Sequence, residues 1–428
     1  MRRLRTRWRA LTRKLPLSDG QWRYSRRTRR DDPAQGWKLH ISATVVSASE
    51  VFAAAEPILR KHETLFKVPD RLELLISLNS GLSGFSQVGK FLTIYPRTTS
   101  EAVHLARALH RATKDLAGPR IPFDAPYRKN SLVHYRYGAF RRLGRNSAGV
   151  IRGSRSHVYR DRRAPGRAVP RWLPDPFNRA SKSNKSAGPI GVDYLAFKAR
   201  IQRGKGGVYE ALDLSVSPAR LVIIKEGRRH GETDKEGKDG YARIQHEAKV
   251  LRRLHAAGVP VPEVFREFSQ DGNRYLVLEK VAGRPLIPVI RMHPARISWR
   301  RATKILDQLQ FLLSRIHAAG WVWRDCKPSH ILVHRSQFRL IDFENACRIK
   351  EKEISSWASR DYLLPTIQKA LRRRVGTLED DYALGVIAFQ FLSGKFPPGS
   401  SRRRASIYKA NRCPDSLRSR IESLLKIK

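Results

Sequence analysis

The stretch "WVWRDCKPSHILV" (321–333), followed by "IDFENA" (341–346), decides the fold. Moving a phosphoryl group from a nucleotide needs a carboxylate to accept the acceptor hydroxyl's proton, a cation to meet the phosphoryl group, and ligands for metal ions. Asp325 meets the first need, Lys327 the second, and Asp342, delivered by a short hairpin, the third. The Asn usual for a second metal is replaced by His330, and the His usual before Arg-Asp is replaced by Trp323. Magnesium prefers an octahedral set of oxygens, so His330 is expected to hold a second ion poorly. A single metal, manganese in place of magnesium, and a silent centre are all open.

Upstream pieces follow in the order this chemistry requires. "QRGKGGVYEA" (202–211) is a turn between two strands in which Gly204, Gly206 and Gly207, with Val208 after them, let backbone N–H groups approach phosphate. "RLVIIKEG" (220–227) carries Lys225 toward the α- and β-phosphates, and the helix "YARIQHEAKVLRRLH" (241–255) offers Glu247 as its partner. "DDYALG" (380–385) carries Asp380 where the kinase fold anchors its catalytic loop from below. Taken singly, each is an ordinary strand lysine, helix glutamate or turn aspartate. Taken in order, residues 191–428 resemble the bilobal protein-kinase fold, which implies ATP with Mg2+, or Mn2+, as cofactors. Two further departures qualify the resemblance. Glu344 replaces the usual Gly, and "SRDYLLPTIQKALRR" (359–373) fills the place of Ala-Pro-Glu, so regulation by an ordinary activation loop is not expected.

The chain has 428 residues, enough for two or three domains, and its 41% hydrophobic content is enough to build their cores. No apolar run approaches membrane-spanning length, and the basic N-terminus lacks the apolar core of a secretory signal. Cys326, Cys347 and Cys413 are odd in number and lack metal-ligand spacing, which points to the reducing cytoplasm. The net charge is +47. Residues 1–30, with twelve Lys/Arg and one Asp, read as a basic extension; residues 141–190 read as a basic, Pro/Ser-rich linker. Such charge attracts polyanions. No nucleic-acid-binding signature accompanies it, so nucleic acid is not the expected partner. An acidic peptide is, and the extension is expected to steer it without touching the chemistry.

Between extension and linker, residues 31–140 read as an α+β domain. Strands are expected at "KLHISAT" (38–44), "RLELLISL" (71–78) and "KFLTIYP" (90–96). Helices are expected over 45–62, where Pro57 is a possible bend, and over 98–118, opened by a Thr98/Glu101 capping box and stopped by Gly118. Lys38 and His40 share one strand face by the period of two. Lys90, Arg120, Arg136 and Tyr137 add charge and a hydroxyl nearby.

"GWKLHISAT", "GKFLTIYP", "GPR" and "SLVHYRYGAF" resemble the N-terminal lyase domain of class III lanthionine synthetases, itself similar to bacterial effector phosphothreonine lyases. The resemblance runs from about residue 31 through the kinase-like part. It implies an α+β protein of two domains, a phosphoSer/phosphoThr lyase-like one followed by the kinase-like one. The function implied is dehydration of Ser/Thr in a ribosomally made precursor peptide: phosphorylation, then elimination of phosphate. By the same resemblance Lys90 is the general base, His40 the general acid held protonated by the dianion, and Lys38, Arg120, Arg136 and Tyr137 the phosphate binders. The family's zinc cyclase is not seen before Lys428, so a separate cyclase or a linear product is expected. Two alternatives stay open: a lyase with a scaffold pseudokinase, and a basic nucleic-acid- or membrane-binding protein on a silent kinase fold.

Overall fold

An antiparallel sheet organises the N-terminal half. The structure, a computed structural model, describes residues 1–140, 149–153, 157–161, 163–164, 168–177, 190–287, 298–353, 359–365, 373–374 and 376–425. The half begins with α1 (Arg2–Thr12), β1 (Leu17–Ser18), β2 (Trp22–Tyr24), β3 (Gln35–Ile41), α2 (Ala48–Lys61) and β4 (Leu65–Pro69). It continues with α3 (Leu72–Ser80), β5 (Leu92–Tyr95), α4 (Thr99–Thr113), β6 (Ala125–Pro126) and β7 (Val133–Ala139). The seven strands run in the order β1-β2-β4-β5-β3-β7-β6, with every neighbouring pair antiparallel. Helix α4 buries Ala102, Leu105, Ala106 and Leu109 at helical spacing, and the Thr98 hydroxyl accepts the Glu101 N–H at 3.1 Å. The Glu101 carboxylate completes the start differently from a capping box, accepting the Arg97 N–H at 2.7 Å. Pro57 lies inside α2 without ending it.

Three expectations change. The strand expected at 71–78 is the helix α3. Its buried Leu72, Leu75 and Leu78 recur every three residues, and Gly81 at φ +81° supplies the left-handed stop. The strand belongs to the preceding "LFKVP", which is β4. The basic extension is part of the fold. Trp8 is 1% exposed, packs against the rings of Phe52 and Phe91, and donates its indole N–H to the Pro69 carbonyl at 3.2 Å. The supposed linker also contributes to this half. Strands Val150–Arg152 and Val158–Arg160 pair, and the Phe177 and Tyr135 ring centres are 4.0 Å apart. The Tyr135 hydroxyl donates to Asp175 at 2.6 Å. Its Ser/Lys-rich end, 178–189, lies outside the described residues.

A five-stranded sheet follows, ordered 194–203, 206–213, 220–227, 273–279, 264–270. By contacts the chain forms two units. The first comprises Met1–Arg220, Ile224–Ala242 and Phe268–Tyr275; the second comprises Leu221–Ile223, Arg243–Glu267 and Leu276–Lys428. In the second, helix Trp299–Ala318 buries Ile305, Leu306, Leu309, Leu312, Leu313 and Ile316. It shares its core with helix Leu378–Ser393 and with Trp323 and Phe343. The hairpin expected before Asp342 is present as Ile331–His334 and Gln337–Leu340.

Candidate functional site

In the first unit β3 faces β7 in a register that pairs Lys38 with Arg136 and His40 with His134. On the other side of β3, Thr93 of β5 stands opposite His40 and also opposite Lys67 of β4. This row lines a cavity of about 100 Å³ bounded by Trp22, Lys38, His40, Lys67, Gln87, Lys90, Thr93, Tyr95, Arg136 and Arg163. Five of these are Lys or Arg. Among the described residues Asp124 lies 3.2 Å from Lys90 and Asp161 forms an ion pair with Arg136.

Burial sets the protonation of this cavity. It pushes Lys38 down to about 7, helped by Arg136, and it pushes Lys67 and Lys90 down to about 8 each. Asp124 opposes the shift at Lys90. The Lys67 ammonium lies over the Trp22 ring, 4.1 Å from its centre. Burial pushes His40 down to about 3 against the pull of Asp124, whose carboxylate is 2.5 Å from Nδ1. Burial works to raise Asp124, but His40 and Lys90 hold it below the usual carboxylate range. The protein therefore presents neutral imidazole and easily deprotonated lysines in a wall that favours an anion.

Lys38, His40, Lys90 and Arg136 come together as expected. Tyr137 and Arg120 do not join them. Tyr137 follows Arg136 on one strand and so points to the opposite face, where its ring packs against Trp37 and Trp172 and its hydroxyl accepts from Gln35. Arg120 is exposed, and the cavity wall forms without it. The sequence reading missed Lys67, Asp124 and Arg163. Lys67 was hidden by the misplaced strand. Asp124 sat unread in "GPRIPFDAPYR", and Arg163 comes from the segment taken as linker. Lys90 itself precedes β5, directly after Gly89 at φ +78°.

The second unit holds the carboxylate centre. Asp325 is 5% exposed. Lys327 Nζ lies 3.1 and 3.0 Å from its two oxygens, and the Ser359 hydroxyl donates to it at 3.1 Å while accepting from Lys327 at 2.8 Å. Nothing in the sequence reading flagged Ser359. His330 bridges the carboxylates, with Nδ1 3.3 Å from Asp325 and Nε2 3.2 Å from Asp342. Asp325, His330 and Asp342 can each offer a ligand atom within 4.8 Å of the others. This mixed nitrogen and oxygen set fits a divalent cation that accepts an imidazole ligand, manganese better than magnesium.

Support for the loop is close. Asp380 accepts the N–H groups of Trp323 and Arg324 at 2.8 and 2.7 Å, and His317 lies 2.9 Å from it. Trp323 donates its indole N–H to the Asp342 carbonyl at 3.0 Å and stacks on Phe343. The replacement for the usual His thus ties the loop that carries Asp325 to the turn that carries Asp342. Arg324 and Asp342 both have positive φ, +66° and +69°, a form of strain that concentrates at working sites. Glu247 is fully buried and accepts the Phe343 N–H at 3.0 Å.

The glycine turn lies in the first unit. Strand 194–203 and strand 206–213 pair as a hairpin, with Arg203 opposite Gly206, Gln202 opposite Gly207 and Ile201 opposite Val208; Gly204 and Lys205 form its tip. Lys225 lies half-buried on strand 220–227.

A lysine-rich cavity and a carboxylate centre lie on one chain of two-domain α+β architecture. Residues 198–424 match the protein kinase domain, and residues 5–189 match the RamC N-terminal domain. The chain belongs to the protein kinase family, with a RamC-type domain ahead of the kinase domain, the pairing expected from its motifs. It is 30% identical over 388 residues to a Streptomyces coelicolor protein named "Probable SapB synthase", an overlap of 86% of this chain and 40% of that protein. It is 31% identical over 221 residues to serine/threonine-protein kinase PknA of Mycobacterium tuberculosis, 49% of each chain. Serine/threonine-protein kinase pkn2 of Myxococcus xanthus is 33% identical over 211 residues, 45% of this chain and 24% of that kinase. The chain thus spans half or less of the length of these relatives. Among the described residues, no helix is long and apolar enough to cross a membrane.

Proposed function

We propose that this protein dehydrates Ser and Thr residues of a ribosomally made precursor peptide, in the manner of lanthionine synthetases. The kinase domain transfers a phosphoryl group from ATP to the side-chain hydroxyl, with Asp325 accepting its proton and Lys327 meeting the phosphoryl oxygens. Asp325, His330 and Asp342 would hold a divalent cation, which would neutralise phosphate charge there. The first unit then takes the phosphopeptide. A lysine removes the Cα proton, the Cβ–O bond breaks, and phosphate leaves with a proton from His40, giving dehydroalanine or dehydrobutyrine.

The observation that carries this reading is the cavity. Lys38, Lys67, Lys90, Arg136 and Arg163 surround about 100 Å³ that also contains an imidazole. A phosphate ester suits a space of this size and charge. Arrival of the dianion raises the proton affinity of His40 and equips it as acid. Two lysines can act as base. Lys90, the residue expected from the family, is held toward its charged form by Asp124; Lys67 faces an indole instead. The excess of cations on the chain suits a precursor with an acidic leader, and the three free thiols suit the cytoplasm.

The test is a phosphoserine peptide supplied without nucleotide. Release of phosphate with formation of dehydroalanine is the expected result, and release with recovery of serine would overturn the elimination reading. A second reading keeps the lyase and makes the kinase domain silent. It is favoured by His330 lying against both Asp325 and Asp342. Phosphotransfer to no peptide in either Mg2+ or Mn2+ would establish it.

A further inference from the structure

The loop that brings Lys90 into the cavity is braced from outside by the glycine-rich hairpin of the kinase domain, all within the first unit. Gly204, at the hairpin tip, donates its N–H to the Ser80 carbonyl at 3.1 Å. A Cβ at Gly204 would lie 1.5 Å from the Asn79 carbonyl oxygen, so the two backbones are in contact without room for a side chain. Asn79 is 4% exposed. Its Nδ2 donates to the Ala43 carbonyl at 2.9 Å, and its Oδ1 accepts the Gly89 N–H at 3.3 Å, one residue before Lys90.

A second route runs in parallel. The Arg228 guanidinium, which donates to the Arg203 carbonyl at 2.9 Å, sits 4.9 Å from the centre of the Phe85 ring. Phe85 opens the short helical turn 85–87, whose last residue, Gln87, lines the cavity and accepts the Lys90 N–H through its carbonyl at 3.1 Å. The Phe85 ring also meets Phe123 in an edge-to-face contact, with ring centres 5.6 Å apart. Phe123 adjoins Asp124, the carboxylate beside both His40 and Lys90.

We propose that Phe85 is a positioning residue through which the nucleotide-binding hairpin holds the Lys90 loop and Asp124 in register, so that the lyase-type cavity depends on a part of the kinase domain. As a statement about catalysis this rests on the elimination reading above; as a statement about Lys90 it does not. A turn that in phosphoryl transfer has only to cover phosphate is here also a structural support for a second centre. A displacement of about 1 Å in a reacting group can cost on the order of a hundredfold in rate, so even a small relaxation of this loop should be visible.

Two readouts separate the inference from the reading it builds on. The first is the rate at which an amine-reactive reagent labels Lys90 in the full chain, followed by peptide mass mapping. The second is elimination from a phosphoserine peptide without nucleotide. Arg228→Ala and Phe85→Ala should each change Lys90 labelling at least about threefold and slow elimination about tenfold or more. In the double variant the two effects should not add, because they act through one contact. Phe85→Leu, which keeps an apolar side chain in place, should recover most of the wild-type behaviour and guards against a variant that fails to fold. A wild type that labels normally but eliminates nothing would sink the lyase reading, and the labelling comparison would still decide the inference. Unchanged Lys90 labelling in both alanine variants, or fully additive effects in the double variant, would overturn it.

Discussion

Lys38 on β3 and Arg136 on β7 are direct cross-strand partners, two basic side chains next to each other in the wall of one cavity. Like charges opposite one another weaken a sheet. Such a pair makes sense where an anion completes the site.

The cavity should therefore cost stability when empty. Lys38 and Lys67 have folded values of about 7 and about 8, below the ordinary 10.5. Between those values and 10.5 the unfolded chain binds more protons than the native one, so their contribution to stability rises with pH through this window and is lowest below it. Inorganic phosphate favours the charged lysines, so its stabilising effect should be largest near neutral pH and fade toward about pH 10. Lys38→Met should raise stability near neutrality by roughly 1–3 kcal/mol. Thermal unfolding over a pH series, with and without phosphate, checks this. A phosphate effect that grows with pH would contradict it.

The two candidate bases make distinct expectations. Lys67→Ala and Lys90→Ala should both let phosphopeptide accumulate, because phosphotransfer uses no residue of this cavity. Loss of the true base should cost about 10²–10⁴-fold in elimination. The other lysine should cost less and act mainly on phosphopeptide affinity. If neither variant accumulates phosphopeptide, the assignment of base to this cavity fails.

In the second unit, Asp325→Asn and Asp342→Asn should each abolish phosphorylation of peptide. His330→Asn replaces imidazole with an oxygen ligand and should keep or raise activity in Mg2+ relative to Mn2+. Activity of His330→Asn can be read directly with both ions. Loss in both would assign His330 a task beyond holding metal.

Deleting residues 1–30 should unfold the first unit rather than trim a steering tail. Trp8 lies in its core, and Trp22 lines the cavity. Trp8→Ala alone should cost about 3–5 kcal/mol, measurable by denaturant titration. A truncated protein with unchanged stability would contradict the packing of α1.

The kinase half was legible because its chemistry is local: Asp325, Lys327 and Asp342 fall within 18 residues of one another in sequence. The cavity was legible only in part. Lys38 and His40 follow from strand alternation, but Lys67 enters through the β3-β5-β4 register, which no local pattern reveals. The apolar spacing of Leu72, Leu75 and Leu78 could have placed α3 correctly, and with it β4. Trp323 read only as a departure from the usual His, yet it makes the hydrogen bond and stacking contact that join the Asp325 loop to Asp342 and Phe343. The charge of residues 1–30 disguised a helix whose single Trp is core.

The central claim, that one chain first phosphorylates and then eliminates, is tested most directly by intact-mass time courses. A Ser-containing candidate precursor peptide is incubated with ATP, a divalent metal and either the wild type or the Lys67→Ala/Lys90→Ala double variant. The wild type should pass through a phosphorylated species, heavier by about 80 Da, to a dehydrated product, and the double variant should stop at the phosphorylated species. A dehydrated product from the double variant, or dehydration by the wild type without ATP, would contradict the account.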